Sequence, residues 1–252
     1  MEAASLGLFM IAAFTFGAIL EHPGSPVRQT VSNPLSRRFL MGVAMGATAV
    51  AIIYSPWGKQ SGAHINPSTT FTFYRLGKIT RSDAFFYIVC QFTGGLAGAI
   101  VATSLFTDWA AHPSVNYVIT APGGSGVIIA FTAELAITFI LMTVILHVSN
   151  NVRWHKFTGV CAGALVAAYI TIEAPLSGMS MNPARTLASA VPAQHWTALW
   201  IYFAAPITGM LCAAELYLRT NGARSIGCAK LHHDNPKRCI FCGKPAGQRQ
   251  SS

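Results

Sequence analysis

Charge is what this sequence has least of. Only 10% of its 252 residues are charged, against about 25% in an ordinary soluble domain, and acidic groups are the rarest, 8 Asp and Glu beside 17 Lys and Arg. With 52% hydrophobic residues, the chain has too little polar surface to cover a water-soluble globule. Paired carboxylates, a nucleophile beside a base and a glycine-rich phosphate loop are all lacking, which argues against an enzyme. No basic leader precedes the first apolar run, which opens at Met1-Glu2 and is too long for the apolar part of a cleavable signal. It is expected to remain as a span.

What is present is a series of uncharged runs, at 3–20, 40–58, 84–107, 135–152, 157–172 and 186–214. A helix needs about 20 apolar residues to cross hydrocarbon, so five or six of them qualify as spans and an integral membrane protein is expected. The net charge of +9 raises nucleic acid as a partner, but the basic residues sort by topology instead. With six spans and an inside N-terminus, Lys59, Arg75, Lys78, Arg81, Arg153, Lys156 and the tail residues Arg219, Arg224, Lys230, Lys237, Arg238, Lys244 and Arg249 face the cytoplasm. Arg28, Arg37, Arg38 and Arg185 stay outside, an asymmetry of the positive-inside kind that Arg37 and Arg38 oppose. Both termini are therefore expected in the cytoplasm, with the chain in a plasma or inner membrane and no nucleic acid bound.

The chain is organised as two halves, about 1–110 and 127–217, followed by a tail at 218–252. An acidic residue opens an apolar span twice, at Glu2 and Glu134, and each is followed by a second span, an Asn-Pro pair and a third span. Three spans per half is odd, so the second half must enter from the opposite side, as in the inverted repeats of transport proteins. Asn is a favoured N-cap and Pro a favoured first helical residue, so Asn66-Pro67 and Asn182-Pro183 each instruct a helix to begin. These helices should stop at Gly77 and Pro192. At about ten residues, or about 15 Å, each would reach halfway across a bilayer. The expected fold is all-α, with six transmembrane helices and two re-entrant half-helices.

The segments Ser61-Gly62-Ala63-His64-Ile65-Asn66-Pro67-Ser68 and Ser177-Gly178-Met179-Ser180-Met181-Asn182-Pro183-Ala184-Arg185 resemble the aquaporin, or major intrinsic protein, family over about residues 1–217, in a bacterial-type form. The resemblance implies a six-span bundle with two half-helices, a homotetramer with one pore per subunit, and passive transport of water or small uncharged solutes with no cofactor. A helix start carries about half a positive charge, so two starts meeting at mid-membrane would repel cations, while Asn66 and Asn182 offer amide N–H groups to a passing oxygen. Arg185 is costly at membrane depth and should line water or pair with a carboxylate, Glu173 being the alternative partner. It matches the family's filter arginine. Glu2 and Glu134 match glutamates that support the half-helix loops, and His64 a histidine of the pore wall. The family's spacing also puts Ile170, Met179 and either Met45 or Gly46 at the constriction.

This pattern departs from the family in three ways that bear on the solute. Ser68 stands where Ala is usual, and the filter holds no histidine, while Thr186 follows Arg185 where glycerol facilitators carry Asp. A mostly apolar ring of Met45, Ile170 and Met179 around one cation fits neither standard subtype. Water is the first expectation, and a facilitator of glycerol, urea, ammonia or metalloid acids with poor water flux is the alternative. In the tail, Cys239-Ile240-Phe241-Cys242 has the shape of a metal knuckle, which Cys228 with His232 or His233 would complete as a zinc site. The other reading there is a basic tail with free thiols held near anionic lipid. A metal- or redox-responsive membrane protein acting through this tail is the third functional reading. Glycines 94, 95, 98, 159 and 163 have the small-residue spacing of close helix contacts.

Overall fold

In a computed structural model, which describes residues 1–233 and 238–243, six helices are long and apolar enough to cross a membrane. Lys237, Lys244 and Arg249 of the basic tail lie outside the described residues. The helices are α1 (Glu2–Glu21), α2 (Pro34–Tyr54), the short α3 (Pro67–Arg75), α4 (Arg81–Ala111, broken at Thr107), α5 (Val127–Ser149), α6 (Thr158–Ile172), the short α7 (Pro183–Ala193) and α8 (Ile201–Asn221). A 3-10 turn ahead of α6 extends that span to His155–Ile172. Among the described residues there is no strand.

The spans pair as the duplicated halves require. α1 packs on α4, α5 on α8, and α2 crosses α6 between the halves, while α3 lies on α8 and α7 on α4. Each half-helix thus rests on the last span of the other half. The glycines of the sequence mark the tightest crossings. A Cβ on Gly94 would sit 2.2 Å from the Ala3 carbonyl oxygen, and one on Gly209 2.4 Å from that of Leu135. Ala3 and Leu135 follow Glu2 and Glu134, so both crossings press an acidic residue inward.

Gly46 belongs to the α2–α6 crossing. Its Cβ would meet the Gly163 carbonyl at 2.5 Å, and one on Gly163 would meet that of Gly46 at 2.6 Å. Of the two sequence candidates for the filter, Met45 lines the central cavity and Gly46 faces the neighbouring helix. The second half-helix does not stop at Pro192 but runs through it to Ala193. The missing N–H falls in a last turn that a left-handed Gln194 closes, so the ring costs little there. Arg37, an exception to the charge asymmetry, is 4% exposed. It pairs with Glu21 at 3.1 Å and donates to the carbonyls of Val31 and Ser32, so it serves the loop after α1 rather than setting topology.

Candidate functional site

The two half-helices begin against each other. Asn66 caps α3, its Oδ1 accepting the Ser68 N–H at 2.9 Å, and its Nδ2 donates across to the Met181 carbonyl at 2.7 Å. Asn182 caps α7 through Ala184 and Arg185 at 3.0 and 3.2 Å, and its Nδ2 donates back to the Ile65 carbonyl at 2.7 Å. Each amide therefore braces the chain just ahead of the other. One N–H per amide is left over. Pro67, Ser68, Pro183 and Ala184 form the buried first turns behind them.

This meeting requires a backbone that L-residues avoid. Ahead of Asn66, Gly62, Ala63 and Ile65 have φ of 92°, 54° and 42°, and ahead of Asn182, Gly178, Met179 and Met181 have 81°, 52° and 57°. Left-handed non-glycine residues cost about 1–2 kcal/mol each, so something must hold them. Glu134 does so in the second half, with Oε1 accepting the Ser177 hydroxyl and the Ser180 N–H and Oε2 the Met181 N–H, all at 2.7 Å. In the first half Glu2 accepts the Ser61 hydroxyl and the Ile65 N–H at 2.6 Å, with Gln91 Nε2 at 2.8 Å. Tyr87 and Tyr202 complete the scaffold by donating to the carbonyls of Ser61 at 2.8 Å and Ser177 at 2.5 Å. Sequence reasoning missed this tyrosine pair, although each sits seven residues ahead of its crossing glycine, Gly94 or Gly209.

A cavity of about 280 Å³ passes this centre and is lined by Asn66, Asn182, Arg185, Met45, Ile170 and Met179, with His64 at one end. Every residue that sequence reasoning set at the constriction, apart from Gly46, borders this one space. Arg185 is half-buried and donates to Ser189 at 3.4 Å; no ion pair between Arg185 and Glu173 is found among the described residues. Thr186 joins the hydroxyls of Ser180 and Thr120, tying the α4–α5 connection to α7. Ser68 is fully buried, does not line the cavity, and its hydroxyl has no hydrogen-bond partner among the described residues. Arg38 and Glu21 line the mouth opposite the tail, and Arg38 is a second cation there that sequence reasoning treated only as a topological exception.

The family model for the major intrinsic protein matches residues 2–217. The chain belongs to that family. Aquaporin NIP2-2 of Zea mays is 36% identical over 176 residues, which is 69% of this chain and 58% of that protein. Aquaporin NIP6-1 of Arabidopsis thaliana is 34% identical over 180 residues, 71% of this chain and 57% of that one. The chain thus spans under two thirds of the length of these relatives. In three dimensions it is similar to the X-ray structure of the aquaglyceroporin from Plasmodium falciparum, with a TM-score of 0.67 over 86% of this chain and 92% of the other at 19% identity. That likeness shows the fold of the family.

Past the residues that the family model matches, the tail brings together a further group. The ligand atoms of Cys228, His233, Cys239 and Cys242 all lie within 4.8 Å of one another. Cys228 and Cys239 sulfurs are 3.5 Å apart, and His233 Nε2 is 3.2 Å from Cys242 Sγ. These are thiols, not a disulfide. A tetrahedral zinc with Zn–S of about 2.3 Å and Zn–N of about 2.0 Å would separate its ligands by about 3.5–3.8 Å, so the group fits such an ion. His232, the other sequence candidate, stands outside it with its ring edge-on to Tyr54. The hydrogen bond from Cys228 holds the Cys239 thiol well below its ordinary range and pushes that of Cys228 up.

Proposed function

We propose that the chain is a passive channel for water and small uncharged solutes that excludes ions and protons. One observation carries this reading: Asn66 and Asn182, cross-braced at the starts of two half-helices, border the same cavity as Arg185. A permeant oxygen reaching the centre can exchange its hydrogen bonds for the spare amide N–H of each Asn. Both helix starts present partial positive charge to the same point, so a cation or a proton hopping along a water file meets a barrier where a neutral molecule meets donors. Met45, Ile170 and Met179 supply an apolar wall beside Arg185, and this combination favours solutes with a hydrocarbon side and a hydroxyl side as well as water. No cofactor is needed for such transport.

Residues 1–217 are read as the channel, in halves 1–110 and 127–217, with 218–252 as a tail able to bind zinc. The basic residues around the ends of α2, α5 and α8 support a cytoplasmic position for both termini in a plasma or inner membrane. Family membership supports a homotetramer in the lipid bilayer. The experiment is an osmotic step on liposomes holding the purified protein, first with an impermeant sugar and then with glycerol. Fast shrinkage without re-swelling identifies a water channel, and slow shrinkage with fast re-swelling a solute facilitator. Absence of both from folded protein, with its tail metal removed, would sink the reading.

A further inference from the structure

The described part of the tail does not leave the channel body. Ile226, Ala229, Lys230 and Leu231 are buried, and Leu231 lines the same cavity as Asn66 and His64. The Leu231 N–H donates to the Gly62 carbonyl at 3.2 Å, and His64 Nε2 donates to the Ala229 carbonyl at 2.8 Å, its Nδ1 resting on Thr70 at 3.0 Å. The Phe241 ring stacks on the His64 imidazole at 5.8 Å and 2°. Lys230 Nζ binds the Lys59 carbonyl, and the Gly227 N–H binds the Asn150 side chain, each at 2.8 Å. The segment is thus fastened around one mouth of the cavity. A ring nitrogen of His64 that would serve a water file there is already engaged, and an isobutyl side chain borders the path.

The thiol and imidazole ligands flank the inserted residues: Cys228 and His233 bracket Leu231, and Cys239 and Cys242 bracket Phe241. So short a segment has too little core to hold a shape by itself, whereas a four-coordinate ion drawing these ligands together supplies one. We propose that the tail is a metal-latched plug, in which a zinc-class divalent ion on Cys228, His233, Cys239 and Cys242 keeps Leu231 and Phe241 in the mouth and closes the pore, and loss of the ion releases it. This rests on the reading of residues 1–217 as a channel. The three thiolates and one imidazole select a soft or borderline ion over magnesium or calcium, which want oxygen.

The test uses the full-length protein purified without chelator, its metal measured, and then reconstituted in liposomes for osmotic light scattering. One zinc per chain is expected. Removing it should raise water or glycerol flux at least about tenfold, as in moving an open fraction from about one in a hundred to one in ten. Added Zn2+ should reverse the rise and Mg2+ should not. The full-length Cys239→Ser/Cys242→Ser variant should conduct with or without zinc, and zinc should shield the tail thiols of the native chain from alkylation. Sub-stoichiometric zinc, or bound zinc whose removal leaves flux unchanged, overturns the plug. If the native chain conducts freely with zinc bound, the channel reading stands and the plug falls. If neither the metal-free native chain nor the variant conducts at all, while both remain folded, the channel reading falls and takes the plug with it.

Discussion

The two buried glutamates look equivalent, yet the hydrogen bonds around them predict that they tolerate the same substitution differently. In Glu134→Gln, one end of the new side chain becomes an amide NH2. The Oε1 position faces the Ser180 N–H and the Oε2 position faces the Met181 N–H. Whichever way the amide turns, donor confronts donor, and one buried backbone N–H is stranded at a cost of about 1–3 kcal/mol. The bond lost also restrains Met179 and Met181 at φ of 52° and 57°, so the loop has a less strained state to relax into. In Glu2→Gln the NH2 can take the Oε1 position, which faces only the Ser61 hydroxyl. That hydroxyl can rotate and accept, while the amide oxygen keeps Ile65 and Gln91. A difference of about 2 kcal/mol, at about 2–4 °C per kcal/mol for a chain of this size, gives a melting temperature about 4–8 °C lower for Glu134→Gln than for Glu2→Gln. Thermal unfolding in detergent, followed by tryptophan fluorescence, reads the first effect. Flux of both variants in liposomes, with the tail metal removed, reads the second, and Glu134→Gln should lose more of it. Equal melting and equal flux, or a worse outcome for Glu2→Gln, would refute the account of the loops.

Other substitutions separate packing from permeation. Gly46→Val drives a side chain into the Gly163 carbonyl 2.5 Å from the new Cβ and should cost about 1–3 kcal/mol, seen as lower melting and poor recovery of folded protein; Met45→Leu should cost under about 1.5 kcal/mol and instead change the ratio of glycerol to water flux. Ser68→Ala removes a buried hydroxyl without a partner, so melting should hold or rise by up to about 1 kcal/mol with water flux unchanged; a clear loss would reveal a bond the hydroxyl makes. Arg185→Val removes a cation that borders the cavity. A cation about 6 Å from it meets about 3 kcal/mol of repulsion at an effective dielectric of about 20, about a hundredfold in rate, so cation or proton leak through metal-free liposomes should rise steeply while water flux persists.

Sequence pattern made the architecture legible because its signals are local and duplicated. Uncharged runs mark the spans, and Asn66-Pro67 and Asn182-Pro183 mark helix starts wherever they are placed. The braces between the halves were not legible. The donation from Asn66 to Met181, and its return from Asn182 to Ile65, depends on left-handed residues that no propensity would choose, Ile65 least of all because its branched side chain disfavours positive φ. Sequence reasoning expected each Asn to aim an amide N–H at a passing oxygen, and carried no sign that the other N–H of each is spent on the opposite loop. Met45 and Gly46 are adjacent, and only the helix crossing angle decides which faces the cavity. The tail was harder still, since the cysteine spacing announces a metal group but carries no record of the mouth it rests on.

That resting place has a counterpart across the pseudo-symmetry. Gly178, at the other loop, lies against the backbone of Thr120 and Ala121, and the nearby Gly123 N–H binds the Leu176 carbonyl. Gly62, its equivalent, lies against Lys230 and Phe241 and binds Leu231. Both descending loops are therefore covered from outside by a segment that belongs to neither half-helix. The covers differ in how they are attached. Residues 120–123 connect α4 to α5 and cannot withdraw without moving two spans, whereas the tail follows α8 and rests on the loop through the hydrogen bonds of Ala229, Lys230 and Leu231. A cover held by a few hydrogen bonds, and not built between two spans, can leave without moving the bundle, so its occupancy has to be fixed by something other than chain connectivity. The cysteine and histidine ligands sit on that cover and not on the other.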